Sequence, residues 1–421
     1  MSHYKPYPAY KDSGVEWLGM VPEHWDVRKL KWLASLQSGD FITSETIEEE
    51  GEYPVYGGNG LRGYCAAFTH EGAYALVGRQ GALCGNINYA DGKFWASEHA
   101  VVVSPYIPTA VRWLGELLRA MNLGQYSISS AQPGLAVERI TDLFLPVPPE
   151  SERQIIAVYV GREAAHIDAL IEKKTRFIEL LREKRQALII RAVTKGLDPD
   201  VKMKESGVEW LGEVPEHWNV LQLRHTARLE SGHTPSRSKP EYWVDCNVPW
   251  FTLADVWQVR SGEQKYVSET SEKVSQLGLD NSSARLLPAG SVFLSRTASV
   301  GFPGIMAVDM ATSQDFAVWT CTSELFNEYL YYVLLGMKPD FDRLMMGSTH
   351  KTIYMPDIEA IRLARPPLDE QRDIVNALGG QLGRFKMVID KTERSIELLK
   401  ERRSALITAA VTGQIDLRET E

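Results

Sequence analysis

The sequence predicts an α+β fold made by internal duplication: two mixed α/β globules separated by a pair of long antiparallel coiled-coil helices, related by a pseudo-two-fold axis. Three observations carry this. Residues 151–193 return without a gap at 369–411, and residues 13–39 return at 206–232 with 18 of 27 positions identical. Both copies of the longer repeat also place apolar residues at alternating steps of four and three, the signature of a helix with a continuous seam.

The first seam is Val160, Ala164, Ile167, Ile171, Ile178, Leu181, Leu188 and Ala192. The second is Leu378, Leu382, Phe385, Ile389, Ile396, Leu399, Leu406 and Ala410. Polar residues interrupt both at matching places, Lys174/Thr392 and Arg185/Arg403, and such breaks cost stability while fixing register. Each copy follows a double proline. Ser151 and Asp369 are the expected N-caps, and Ser151 with Gln154 fits a capping box. Each ends near a glycine, Gly196 or Gly413. At 1.5 Å per residue such a helix is about 65 Å long.

Geometry selects the direction of the pair. The linker after helix one (195–205) reaches at most about 40 Å. A globule of the intervening size has a radius of gyration of about 15 Å, too small to join opposite ends of two parallel helices. An antiparallel pair lets one globule serve the end of helix one and the start of helix two. The resulting division is 1–147 (first globule), 148–196 (first helix), 197–365 (second globule) and 366–421 (second helix and tail).

The shorter repeat reads SGVEWLGMVPEHW and SGVEWLGEVPEHW. Trp17, Leu18, Trp25 and their copies Trp210, Leu211, Trp218 form an expected aromatic cluster that pins the chain to its globule, with base stacking as the alternative. The globule centres diverge, and the extra length of the second lies before its glycine-led strand. YALVG, KFWAS, HAVVV, VPWFTL and SVFLSR read as strands, VYGGNG and GRQGALCG as loops. VRWLGELLRAMN and ELFNEYLYYVLLGM read as helices. Hydroxyl-rich loops (SISSAQPGLAVERI, GSTHKTIYMPDI) and an extended run then lead to the prolines. Ala100-Val101 aligns with Ala317-Val318, and Arg79 with Arg296.

At 421 residues the chain has room for two or three cores. The opening MSHYKPYPAY lacks the apolar stretch of a signal peptide, no run is long enough to cross a bilayer, and Cys65, Cys84, Cys246 and Cys321 have no metal-like spacing. A cytoplasmic protein with reduced thiols is expected. The net charge of −9 disfavours a free-standing nucleic-acid binder, unless partners supply positive field.

Catalytic signatures are missing. There is no phosphate loop, H-E-x-x-H or paired C-x-x-C, and GNGLRG (Gly58, Gly60, Gly63) reads as a turn. Asp198, Asp200 and Lys202 lie in a linker turn, and His24 and His217 read as structural. A binding role is expected, with no catalytic residue, metal or cofactor in this chain. Reading base edges needs Arg, Lys, Asn, Gln, Ser or Thr on loops. The divergent centres offer Tyr56, Asn59, Arg62, Arg79, Gln80 and Gln132 in the first globule. The second offers Thr234, Ser236, Arg237, Lys239, Arg296, Thr297, His350 and Lys351. Arg79 and Arg296, both between a strand and a glycine turn, lead the set.

SGVEWLG-x-VPEHW, G-x-TPS before VPWFTLADV, YPVYGGNG-x-x-GY, and PP-x-x-EQ before a long helix ending in ALI-x-x-AVTG together resemble the specificity subunit of type I restriction-modification enzymes. The first half departs from the pattern, with PPESERQ and no TPS. The resemblance implies that each globule is a target recognition domain reading half of a split double-stranded DNA sequence. It implies that the helices space the halves and dock two methyltransferase subunits, with two restriction/translocase subunits joining for cleavage. S-adenosylmethionine, ATP and Mg would then belong to those partners. A scaffold whose globules bind protein or carbohydrate is the alternative reading of the residues.

Overall fold

The computed structural model describes residues 5–81, 83–127, 134–345 and 351–418. The chain divides into two compact units, Met1–Arg176 with Thr392–Glu421 (unit 1) and Phe177–Lys391 (unit 2). Each unit therefore contains one globule, part of the first long helix and part of the second.

In unit 1 the main sheet runs Ala34–Ser38, Ala100–Pro105, Tyr74–Gly78, Ile87–Ala90, all antiparallel. Its central strands are apolar without alternation because both faces are covered. Ala75, Val77, Val101 and Val103 face the core built with helix Val111–Ala120 and the long helices. Leu76, Ala100 and Val102 enter a second cluster with Phe94 and Ala96. That cluster leads to the second sheet, Gly60–Cys65, Tyr53–Gly57, Lys93–Ala96, His70–Glu71, whose middle pair is parallel.

Unit 2 repeats the plan. Its main sheet runs Ala227–Ser231, Phe316–Cys321, Val292–Ser295, Pro303–Met306 and adds Tyr266–Val267. Val292, Leu294, Ala317 and Trp319 face the core shared with the long helices, and Phe293, Phe316 and Val318 face the other side. Val248–Phe251 pairs in parallel with Ala311–Thr312, as Tyr53–Gly57 does with Lys93–Ala96. The extra residues include the turn Pro240–Trp243 and helix Gln276–Asp280. They pack around Trp250, Val274 and Leu279.

Three sequence expectations are corrected. VYGGNG is not a loop: Val55–Gly57 end one strand, Gly58 and Asn59 turn, and Gly60 opens the next. Its glycines masked a strand whose parallel partner lies far away in sequence. The alignment of Ala100-Val101 with Ala317-Val318 is out by one. Val101 pairs with Ser38 and Val77, and it is Ala317 that pairs with the equivalents Ser231 and Leu294. Ser151 and Asp369 are not N-caps either. The long helices span Glu150–Lys195 and Leu368–Val411, and the carbonyls of Pro149 and Pro367 accept the first helical hydrogen bonds, both at 3.0 Å. Proline has fixed φ and no N–H to lose, so the helix starts directly after it.

The third helical residue is then a glutamate in both copies, and it is the acceptor for the shorter repeat. In unit 1 buried Glu152 accepts from His24 Nε2 (2.7 Å), Trp25 Nε1 (2.9 Å) and the Tyr7 hydroxyl (3.0 Å). In unit 2 Glu370 accepts from His217 Nε2 (2.8 Å) and Trp218 Nε1 (3.1 Å). Asp200 occupies the position of Tyr7, and Glu370 is correspondingly half-buried. Burial and then the Glu152 charge push the Tyr7 hydroxyl far above its ordinary pKa. The same tryptophans seat the ends of the opposite helices. Gly413 (φ +77°) lies on Pro22 and Trp25, Gly196 (φ +73°) on Trp218 and Glu370. A Cβ at Gly413 would fall 2.4 Å from Pro22 Cδ, so only glycine fits. Each unit thus clamps the start of one long helix beside the end of the other, which is the antiparallel arrangement.

The seam follows. Val160, Ala164 and Ile167 are buried in unit 1, where Val160 shares a core with Leu406 and Ala410. Ile178, Leu378 and Ile389 are buried in unit 2, where Leu378 shares a core with Ile189 and Ala192. Ile171, Leu181, Leu188, Leu382, Phe385, Ile396 and Leu399 are half-buried. The polar breaks diverge in use. Arg403 Nε lies 2.9 Å from Asp168 of the other long helix, an ion pair by distance that lacks hydrogen-bond geometry. Arg185 turns to its globule, donating to the carbonyls of Ser261 (3.1 Å) and Gly262 (2.5 Å).

Glu370→Ala removes the acceptor of a buried indole N–H and should cost about 1–3 kcal/mol, read as a lower unfolding midpoint. Asp369→Ala, at a side chain 96% exposed, should stay within about 0.5 kcal/mol. Equal losses would point to a capping role for Asp369 instead.

Candidate nucleic-acid interface

The leading candidates, Arg79 and Arg296, occupy equivalent nodes. Each follows a central strand and is fixed by its own backbone. Arg79 N–H donates to His99 O (2.9 Å), and Arg79 O accepts from Leu135 N–H (2.9 Å). Arg296 N–H donates to Asp315 O (2.8 Å), and Arg296 O accepts from Ile353 N–H (2.9 Å). Ser97 N–H bonds Tyr56 O at 2.9 Å, as Ser313 N–H bonds Phe251 O at 3.0 Å. Gly39 and Gly232 close the nodes from the remaining side. A Cβ there would sit 2.1 Å from Ala96 O or 2.2 Å from Ser313 O.

The guanidinium groups differ. Arg79 Nη1 donates to Ser38 Oγ (3.0 Å), whereas Arg296 Nη2 donates to Gln314 O (2.7 Å). In unit 1 the turn Gly58–Asn59 abuts Arg79 and Gln80, because Gly58 and Gly78 allow the backbones to touch. This brings Asn59, Arg79 and Gln80 together, with Asn59 and Gln80 exposed. Tyr56 is half-buried with its ring edge-on to Phe94, and burial raises its hydroxyl pKa. Arg62 is exposed one strand away, its stem over Gly57. Gln132 and His350 lie outside the described residues.

In unit 2 Thr234, Arg296, Thr297 and Lys351 gather at the node. Thr234 Oγ1 donates to Gln314 Oε1 (2.7 Å), Thr297 bridges to Thr352, and Lys351 O accepts from Ala298 N–H (2.9 Å). Ala298 holds φ +59°, a left-handed conformation that is uncommon without glycine. Ser236, Arg237 and Lys239 form a separate group on the inserted loop. Ser236 Oγ is 2.8 Å from Ser238 Oγ, and Lys239 Nζ donates to the Tyr242 hydroxyl (3.0 Å). Arg237 pairs with Glu272 (2.5 Å) and stacks 3.8 Å above the centroid of Trp243.

Seven buried side-chain polar atoms among the described residues lack a hydrogen-bond partner. Four fall at or beside the nodes: Asn88 Nδ2 and Glu98 Oε2 in unit 1, Arg296 Nε and Thr312 Oγ1 in unit 2. Native proteins leave few such groups unsatisfied without a reason, so the interior of the nodes retains polar capacity that their own side chains do not use. Elsewhere the chemistry is structural. Asp200 N–H bonds Asp198 Oδ1 (2.9 Å) in a turn, and the four cysteines are unpaired, Cys321 being pushed up to about 12 by burial.

The sequence profile described as "Type I restriction modification DNA specificity domain" matches residues 22–179 and 215–397. The chain belongs to this family. Among curated members, the Escherichia coli type I restriction enzyme EcoprrI specificity subunit is 47% identical over 127 residues, covering 29% of this chain and 31% of that one. The putative type I restriction enzyme MjaX specificity subunit of Methanocaldococcus jannaschii is 22% identical over 438 residues, covering 95% and 96%. A chain solved in work on complex assembly and conformational transition of the type I R-M system superposes with a TM-score of 0.69 at 16% identity, covering 93% of this chain and 98% of that one, a likeness of fold.

For a specificity-family chain the node contains more than the candidate list. Ser38, His99, Gln314 and Asp315 hold the two arginines, and Ser38 could have been found from its place in the shorter repeat. His99 and Asp315 carry no sequence signal, because they act through backbone carbonyls. Among the described residues no helix is long and apolar enough to cross a membrane.

Gly232→Ala forces the 312–313 backbone to move and should lower the unfolding midpoint by several degrees. Gly379→Ala, in open space on the second long helix, should stabilise by up to about 1 kcal/mol. A neutral Gly232→Ala would show that the node is not tightly closed.

Proposed function

We propose that this chain is the non-catalytic DNA-recognition subunit of a type I restriction-modification complex. Residues 1–147 and 197–365 would each read one half of a bipartite double-stranded target. The long helices, 148–196 and 366–421 with the tail, would set the spacing and dock two methyltransferase subunits. Two restriction/translocase subunits would join for cleavage, and S-adenosylmethionine, ATP and Mg would act in those partners.

The observation that carries this reading is the duplicated node. One frame is built twice, and at its rim stand different donors and acceptors: Asn59, Arg79 and Gln80 in one unit, Thr234, Arg296, Thr297 and Lys351 in the other. Such side chains read base edges and hold phosphates. Two copies of one frame with unlike rims suit a target whose halves differ. The acidic balance of the chain is met if the partners supply the positive field around the DNA.

The test is binding by the chain assembled with its methyltransferase partners. Affinity for the cognate duplex should fall steeply with rising salt, through counterion release. Arg296→Ala should weaken discrimination at one position of one half-site by about 1–3 kcal/mol and leave the other half-site untouched. Salt-independent binding would favour a protein- or carbohydrate-binding scaffold, and an equal effect on both half-sites would contradict the division between units.

A further inference from the structure

The two nodes share a feature that their polar residues do not account for. Each displays one exposed aromatic ring beside a buried anchor, and the two rings come from different loops. In unit 1 it is Phe41, 73% exposed, next to buried Ile42. In unit 2 it is Tyr354, 56% exposed, next to Ile353, which is fully buried.

The repeats show that the swap is reciprocal. SGDFI aligns with SGHTP, so Phe41 stands where unit 2 has Thr234. Leu135 and Ile353 both donate to the node arginine's carbonyl, so Tyr354 stands where unit 1 has Ala136. Each node thus has one large ring and one small residue at this pair of positions, with the order reversed.

Both rings ride on fixed backbone. Asp40 N–H donates to Ala96 O (2.9 Å) and Asp40 O accepts from Trp95 Nε1 (3.2 Å), while Ile42 packs with Val55 and Cys65. On the other side Ile353 is bonded to Arg296, and Thr352 bridges to Thr297. A single exposed apolar side chain needs no explanation. A rigidly presented ring at the rim of both nodes does, since an aromatic side chain with two rotatable bonds gives contact area at low entropic cost.

We propose that Phe41 and Tyr354 are specificity-determining contacts, each laying its ring against the 5-methyl group of one thymine in the half-site its unit reads. This rests on the DNA-recognition reading above. The thymine methyl is the apolar feature of the major-groove edge, and phenyl rings complement it where amides and guanidinium groups do not.

The experiment uses the full complex with its methyltransferase partners and a duplex carrying the cognate target. Each thymine is replaced singly by deoxyuridine, which lacks only the methyl. Wild-type affinity should fall about fourfold, the worth of one buried methyl, at one thymine in each half-site. Phe41→Ala should abolish that sensitivity in one half-site only, and Tyr354→Ala in the other, while Tyr354→Phe keeps it. Both positions are exposed, so the variants should melt with the wild type. Wild-type indifference to every deoxyuridine, a half-site without thymine on either strand, or variants that weaken thymine and deoxyuridine targets equally would each overturn the contact. Specific binding without methyl sensitivity refutes the ring contact alone. Absence of any sequence-specific binding refutes the recognition reading and the contact with it.

Discussion

A carboxylate at the third residue of each long helix holds this architecture together. Burying Glu152 at 6% exposure would cost several kcal/mol if it were unsatisfied, yet it receives three donors and sits at the positive end of a long helix. The imidazole and indole donors come from the shorter repeat, so the EHW motif and the helix start are one device, to which Tyr7 adds a third donor in unit 1. The tryptophan that donates to the glutamate also carries the glycine ending the opposite helix. One indole therefore fixes both the beginning of one helix and the end of the other, and the antiparallel pairing along the seam follows from satisfying those two contacts twice.

With the frame fixed in this way, the globules are free to differ. The central strands are covered on both faces, so the sheet tolerates little change, and divergence concentrates at strand ends and in the inserted loop. The nodes show how. Backbone hydrogen bonds to the carbonyls of His99 and Asp315, and from the N–H groups of Leu135 and Ile353, put the two arginines in equivalent places without using any side chain that must be retained. The side chains around them can then change. Ser38 holds Arg79, whereas Arg296 is held by the carbonyl of Gln314, and polar atoms remain unsatisfied at both nodes. Arg185 shows the same freedom: the copy of a residue that pairs across the helices in unit 1 supports the globule in unit 2.

Much of this was legible in the sequence. The heptad seams, the equivalent strands YALVG and SVFLSR, the terminal helices of the globules and the placement of Arg79 and Arg296 after those strands all follow from periodicity and repeats, because they depend on local patterns. What was missed depends on distant partners. VYGGNG looked like a loop because its glycines exist to let Arg79 and Gly78 approach, and its parallel strand partner is some forty residues away. The N-caps differ from the sequence expectation because the preceding proline can itself serve as the cap when a glutamate three residues later carries the tertiary contact. His99 and Asp315 were invisible because a backbone carbonyl leaves no mark on residue type.

The central proposal is a division of labour in which the nodes would read and the helices would space. Its most direct measurement is genome-wide mapping of DNA methylation in cells carrying the proposed complex, after a matched seven-residue insertion in both long helices. Seven residues add about 10 Å, close to three base pairs at about 3.4 Å each. The account predicts that both half-site sequences persist while the interval between them grows by about that amount. Altered half-site letters, or an unchanged interval with methylation intact, would contradict it.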